Sequence, residues 1–310
     1  DGGNMIIKNV TVIGAGMMGN ALAMVFAMSP DLNVTLRTRT LKDDRYDPII
    51  AHLDIMVSRD VISGVQKEEV LSRITFETDL KKATENADFI IECAPEVMET
   101  KQDLFAEIEN YCRKDAILAT NTSVMSPTEI AAKCVNRERV VGAHFWNPGH
   151  LIPLVEVIKS DYTSDEVVEL TMDVLRKAGK KPVLCKKDVP GFIANRMQHA
   201  LWREAISIVE NGIADAATVD EAVKYSFGLR LPQLGPMENA DMVGTDLTFN
   251  IHDYILKDLE SSKEPSPLLR ELRDAGKLGF KTGSGFQEWT PESIKKSKQE
   301  LTEYLIDMLY

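Results

Sequence analysis

Short apolar runs recur along the first part of the chain, and between them apolar positions return every three or four residues. The runs are Lys8-Asn-Val-Thr-Val-Ile13, Leu32-Asn-Val-Thr-Leu-Arg-Thr-Arg39, Ala87-Asp-Phe-Ile-Ile-Glu92, Ala116-Ile-Leu-Ala-Thr120, Val140-Val-Gly-Ala-His144 and Leu154-Val-Glu-Val-Ile158. Their length and β-branched content predict buried strands. Helical periodicity marks Asn20 to Met28, Pro48 to Gly64 and Glu99 to Lys114. Strands that are apolar on both faces and alternate with helices predict a parallel sheet covered by helices on both sides.

The pattern changes after Lys186-Lys-Asp-Val-Pro190-Gly191, where Pro190 and Gly191 form a hinge or a helix entry. From Phe192 onward long helical periodicities rich in Ala, Leu, Met and Glu continue without a convincing strand, and Leu234 to Met237 and Gly279 to Gly285 read as turns. The predicted domains are therefore residues 5–188, α/β, and 189–310, all-α. A length of 310 residues suits two such domains. Asp1-Gly-Gly-Asn4 ahead of Met5 reads as an expression remnant.

Between the first strand and the first helix stands Gly14-Ala-Gly16-Met-Met-Gly19. In that context Gly-x-Gly-x-x-Gly is a dinucleotide-binding fingerprint. Gly14 makes the tight turn, Gly16 lets backbone approach a pyrophosphate, and Gly19 lets helix and strand pack closely. The free N–H groups at the helix start, at Met17 and Met18, would hold the anion. The first domain is thus predicted to be doubly wound and Rossmann-type.

Composition narrows the partners. The net charge of −12 opposes attraction to nucleic acid or anionic lipid. No run approaches the roughly 18 apolar residues of a membrane span, and the apolar start lacks the features of a signal peptide. A soluble cytoplasmic protein with a small-molecule substrate is expected, without nucleic acid or membrane. Cys93, Cys112, Cys134 and Cys185 form no Cys-x-x-Cys pair, so buried free thiols are expected rather than a metal site or a disulfide framework.

His144 ends an apolar strand, at the edge where open α/β sheets present ligands. Glu156 interrupts the next apolar run, and a carboxylate in a buried strand is costly unless paired. A His144–Glu156 pair would fix the imidazole tautomer and raise its basicity, as a general base requires. Spacing alone equally allows a structural histidine and a solvated Glu156.

Taken together, the glycine fingerprint, Pro95-Glu96 with Lys101, Asn121-Thr-Ser123, His144-Phe-Trp-Asn147-Pro148 with Pro153-Leu-Val-Glu156-Val, Asp188-Val-Pro-Gly-Phe-Ile-Ala-Asn195-Arg196 and Lys281-Thr-Gly-Ser-Gly-Phe286 resemble the 3-hydroxyacyl-CoA dehydrogenase family. The resemblance covers essentially the whole chain. It implies hydride exchange between C3 of a 3-hydroxyacyl substrate and a nicotinamide, with no metal. His144 would be the base and Glu156 its orienting partner, while Ser123 and Asn195 would hold the reacting oxygen. Glu96, Lys101, Asn147 and Lys281 would contact the cofactor, and the helical domain would make a homodimer.

Two departures qualify that picture. The fingerprint calls for an Asp or Glu about 20 residues on, to bind the adenosine ribose, but here the second strand ends Arg37-Thr38-Arg39-Thr40. Without the acid, and with Arg39 or Arg37 able to meet a 2′-phosphate, NADP(H) is expected; NAD(H) held through other contacts is the alternative. Between Lys42 and Lys67 the chain has no lysine, only Arg45 and Arg59, where coenzyme A-using members carry lysines. His150 to Val157 and Tyr225 to Arg230 are also similar to the carnitine and gulonate dehydrogenase branch, in which Arg230 could pair a substrate carboxylate and Trp146 face a cation. A further alternative is a crystallin-like protein that binds cofactor without turning over.

Overall fold

The computed structural model describes residues 5–310; Asp1 to Asn4 lie outside the described residues. The chain forms two compact units, one running to Ala194 and including Leu305–Tyr310, the other spanning Asn195–Tyr304. The predicted boundary at residue 188 lies six positions before the division at 194/195.

In the first unit, strands and helices alternate as β1 (Asn9–Ile13), α1 (Met17–Ala27), β2 (Asn33–Arg37), α2 (Asp47–Ser58), α3 (Gly64–Ser72), β3 (Ile74–Glu77), α4 (Leu80–Thr84), β4 (Phe89–Glu92), α5 (Met98–Tyr111), β5 (Ile117–Thr120), α6 (Pro127–Ile130), β6 (Val140–Phe145), β7 (Leu154–Ile158), α7 (Asp165–Lys177) and β8 (Lys181–Cys185). They build one sheet of order β3-β2-β1-β4-β5-β6-β7-β8. The strand order reverses direction between β1 and β4, and such a switch point opens a crevice at the carboxyl ends of the strands.

The sheet is α/β and doubly wound as predicted, but not wholly parallel: β7 runs antiparallel to β6. Residues 146–153, which join them, are too few for a crossover, and parallel neighbours need a connection of about a dozen residues or more. The pattern of the sequence also misses β3 and β8. Both are short edge strands, and β8 alternates exposed and half-buried positions and carries Pro182, which local rules count against a strand. The helix predicted over Pro48 to Gly64 stops at Ser58, and Ser63 caps α3 by a reciprocal box with Gln66.

Alternation along the strands fills both sheet faces. Val10, Val12, Phe89, Ile91, Val141, Ala143, Phe145, Val155 and Val157 pack with α1 and α7 on one side, while Ile90, Leu118 and Val140 pack with Phe105 and Ile108 of α5 on the other. Burying these side chains is worth roughly 1.5–3 kcal/mol each.

The second unit is helical: α8 (Ala194–Glu210), α9 (Ala216–Lys224), α10 (Phe227–Arg230), α11 (Pro236–Val243), α12 (Thr245–Ile255), α13 (Pro267–Asp274) and α14 (Pro291–Leu309), the last of which ends in the first unit. Helices α9 to α13 contain no buried residue. The turn expected at Gly279 to Gly285 is pinned by Gly279–Ser284 and Ser284–Glu288 bridges. Cys134 and Cys185 are buried, whereas Cys93 and Cys112 are only half-buried, and the Cys185 thiol donates to Lys187 O at 3.1 Å. Among the described residues no helix is long and apolar enough to cross a membrane.

Candidate active site

A cavity of about 1160 Å³ opens at the switch point, lined by Gly14 to Gly16 after β1, Arg37 to Thr40 after β2 and Cys93 to Glu96 after β4. Its floor follows from the glycines. Gly14 has φ 106°, and a Cβ there would come within 3.2 Å of the Cys93 carbonyl oxygen. A Cβ on Gly19 would overlap the Gly14 carbonyl, so only glycine lets α1 approach the turn. In front of Gly16 a Cβ would meet nothing within 4 Å. That open cradle faces the first turn of α1, which has no side-chain cap, so its N–H groups suit an anion.

Asn20 adds a feature the sequence pattern does not flag. It lines the cavity, its amide donates to Ala15 O at 3.1 Å, and its buried Oδ1 has no partner among the described residues. A cradle that one Cβ would fill and an orphaned acceptor beside it fit a dinucleotide pyrophosphate and its ribose hydroxyls. Met18 packs against the apolar core, while Met17 is exposed.

The cavity wall after β4 is held from behind. Lys101 is 1% exposed; its Nζ donates to Glu92 Oε1 and Oε2 at 2.9 and 2.8 Å and to Ala94 O at 3.0 Å. Glu92 also accepts from Ala94 N at 2.8 Å and from the Thr120 hydroxyl. Lys101, expected on the cofactor from the family pattern, is therefore sequestered behind the wall rather than on it. Glu96 does line the cavity and accepts from the Thr122 hydroxyl at 2.6 Å.

At the β2 end, the Arg37 Nε donates to Thr78 O at 3.1 Å, and Thr38 donates to Thr40 O at 3.3 Å. Arg39 is exposed and makes no hydrogen bond or ion pair among the described residues. Arg45 also lines the cavity, its guanidinium 5.3 Å from the Tyr46 ring and 5.6 Å from the Phe76 ring, with a buried Nε that has no partner. Its place depends on the turn before α2, which local sequence does not specify.

His144 and Glu156 meet through the antiparallel pair. The register sets them directly opposite, and the pleat puts both on the face away from Ala143 and Val157. His144 Nδ1 lies 3.2 Å from Glu156 Oε1. Trp146 Nε1 donates to the same oxygen at 3.0 Å, while Ile193 N and Ala194 N donate to Oε2 at 2.8 and 3.2 Å. The last two N–H groups are turned inward by Gly191 and Phe192, at φ 79° and 52°. A left-handed phenylalanine is uncommon; here its ring is buried 5.8 Å from the His144 ring.

Glu156 is fully buried. Burial pushes its carboxyl up, but the hydrogen bonds from His144, Trp146, Ile193 and Ala194 together hold it below the usual carboxylate range. An ionised carboxylate only accepts, so Nδ1 of neutral His144 carries the hydrogen and Nε2 presents a lone pair.

Ser123 follows β5 in a loop fixed from both sides: Asn121 Oδ1 accepts from Phe145 N at 2.9 Å, and Thr122 Oγ1 accepts from Met125 N at 3.0 Å. The Ser123 hydroxyl makes no hydrogen bond among the described residues. After β6, Asn147 is exposed, and its loop is pinned by Lys180 Nζ, which donates to Gly149 O at 2.7 Å and Ile152 O at 2.8 Å. His150 of that loop stacks on His52 of α2, with ring centroids 3.9 Å apart. Burial pushes Lys180 down to about 8, and burial with the nearby His52 and Lys180 pushes His150 down to about 4. In the second unit, Asn195 Oδ1 accepts from Gln198 at 3.4 Å, and Arg230 and Lys281 are exposed.

Comparison with known proteins divides the chain near the same point. Residues 9–189 match the family model for the NAD-binding domain of 3-hydroxyacyl-CoA dehydrogenase, and residues 191–289 match that of its C-terminal domain. The chain is 32% identical over 97% of its length to 5-formyl-3-hydroxy-2-methylpyridine 4-carboxylate 5-dehydrogenase of Mesorhizobium japonicum, covering 97% of it. It is 36% identical over 92% of its length to a probable 3-hydroxybutyryl-CoA dehydrogenase of Bacillus subtilis, covering 98% of it. A solved structure of a 5-formyl-3-hydroxy-2-methylpyridine 4-carboxylic acid 5-dehydrogenase, described as an NAD+-dependent dismutase, superposes with a TM-score of 0.89, 32% identity and coverage of 98% of this chain and 97% of that one.

Proposed function

The chain belongs to the 3-hydroxyacyl-CoA dehydrogenase family of NAD-binding oxidoreductases, and from that premise we propose that it oxidises and reduces C3 of a 3-hydroxyacyl-CoA of the 3-hydroxybutyryl type, with His144 and Glu156 as its base. The observation that carries the reading is the buried pair: an ionised carboxylate on Nδ1 that leaves Nε2 free to take a proton. Nε2 removes the hydroxyl proton during oxidation and returns it during reduction. Glu156 holds the tautomer and stabilises the imidazolium as it forms. Ser123 and Asn195 hydrogen-bond the reacting oxygen and fix its distance from the base. When bound, the nicotinamide supplies the hydride acceptor or donor.

Gly14, Gly16, Gly19 and the N–H groups of Met17 and Met18 receive the pyrophosphate, with Glu96, Asn147 and Lys281 as further contacts. Lys101 serves that site by holding its wall. For the adenosine end we propose NADP(H). Thr38 in place of an acid removes repulsion against a 2′-phosphate, and Arg39 offers it a free guanidinium, while Arg37 is engaged by Thr78 O.

A second reading, the oxidation of a free hydroxy acid, is favoured by two observations. Helix α2 carries no lysine, and Lys67 beyond it is paired with Asp54 at 2.6 Å; the Mesorhizobium relative is named for a pyridine carboxylate rather than a thioester. Arg230 would then take the substrate carboxylate. For the second unit we propose a homodimer surface, since α9 to α13 bury nothing and leave Leu229, Phe249 and Tyr254 at 74%, 70% and 81% exposure; sedimentation equilibrium tests it. A panel of acetoacetyl-CoA and free 3-oxo acids, each with NADPH and NADH, tests the rest. Turnover of acetoacetyl-CoA with NADPH is expected, activity on free acids alone would select the second reading, and inactivity on all would revive a crystallin-like role.

A further inference from the structure

The carboxylate that orients His144 is shared. Glu156 Oε1 accepts from His144 Nδ1 at 3.2 Å and from the Trp146 indole at 3.0 Å, so two donors compete for one oxygen. Sequence pattern suggests an apolar or cation-facing role for Trp146; its indole instead turns its one polar atom onto the dyad, with the ring centroid 5.7 Å from the imidazole.

We infer that Trp146 is a positioning residue that sets the strength of the base, by drawing part of the Glu156 charge away from His144. The inference rests on the dyad proposed above. A donor on a carboxylate stabilises its charge locally and weakens its pull on any other partner of the same oxygen. Less pull on Nδ1–H makes the imidazolium less favourable and Nε2 less basic. Oε2 cannot compensate, because the Ile193 and Ala194 N–H groups already hold it.

His144 pairs with Glu156, and its ring neighbours are Trp146 and Phe192. On the elements packed nearby, Cys185 of β8 is a buried thiol packed with Ile158 and Phe192. Asp188 is turned to the Ser126 hydroxyl and to Thr128 N.

Two variants separate the hydrogen bond from the bulk of the ring. Trp146→Phe removes the donor and part of the volume. Replacement of Trp146 by 3-benzothienylalanine, a sulfur isostere, removes the donor alone. The primary readout is the pH titration of the His144 imidazole by NMR in histidine-labelled protein, its resonance identified by its loss in His144→Gln; the second is the acid limb of kcat/KM with acetoacetyl-CoA and NADPH. Both variants are expected to raise the His144 midpoint by about half to one pH unit, to carry the acid limb up with it and to leave the cofactor KM unchanged. A midpoint that stays put in both variants overturns the inference, and so does a shift confined to Trp146→Phe, which would trace to packing. Near-normal turnover in His144→Gln removes the dyad reading itself and is seen independently of either result.

Discussion

His144 and the β2 end of the cavity are built by opposite means. His144 is fixed by strand register and by a fully buried carboxylate that an indole and two backbone N–H groups hold in turn. At the β2 end, Arg39 is exposed and, among the described residues, unpaired, and Arg45 lies in a turn beside two rings. Chemistry needs sub-ångström placement of a proton acceptor, which regular structure provides. A 2′-phosphate needs charge within reach, which a loop provides without a fixed geometry.

That contrast predicts a graded response to substitution. The largest effect falls on the rigid end: His144→Gln is expected to lower kcat by about 10³- to 10⁴-fold while cofactor affinity, measured by fluorescence titration, stays within about twofold. An equal loss of both would erase the distinction between the ends. Next, Lys101→Met leaves Glu92 charged and buried without its partner, and denaturant unfolding should show a loss of about 3–5 kcal/mol. A smaller loss would mean that the wall after β4 does not need its ion pair.

The loop after β6 gives a pH-dependent test. The unfolded chain protonates His150 near 6.5, the folded one only near 4, so in that window the unfolded state binds more protons and stability falls as pH drops. His150→Gln should remove at most about 3 kcal/mol of that acid-induced loss, read from thermal midpoints between pH 7 and 4. Identical curves for both proteins would mean that the loop is not pinned through this imidazole. The smallest effect is at the β2 end: Arg39→Ala should raise the KM for NADPH about tenfold, a change of about 1.4 kcal/mol, and leave NADH untouched. An equal rise for both cofactors would place Arg39 outside 2′-phosphate recognition.

Much of this was readable in the residues, and unevenly so. The strands β1 and β4 to β7 announce themselves because they are buried along nearly their whole length, and β2 by its alternation of apolar and polar positions, whereas β3 and β8 are edges with mixed exposure. Glu156 inside an apolar run raises the buried pair as one reading, but spacing alone allows a solvated carboxylate equally. The antiparallel turn that makes His144 its partner is encoded only by the short connection after Phe145. Lys101 shows the converse: family pattern puts it at the cofactor, yet its burial against Glu92, nine residues back, follows from the way β4 and α5 pack. The Trp146 N–H and the inward Ile193 and Ala194 amides are likewise visible only in three dimensions.

The capture of Glu156 by Ile193 N and Ala194 N has a consequence for folding. The strand pair is local, separated by 12 residues, whereas those amides arrive from 37 and 38 residues downstream. Contacts of larger separation close later because their loops cost more entropy to form. Until they close, the carboxylate lacks two of its four donors and its charge is poorly held. Recovery of turnover during refolding should therefore lag behind recovery of sheet signal, making activity a clock for the docking of Ile193 and Ala194.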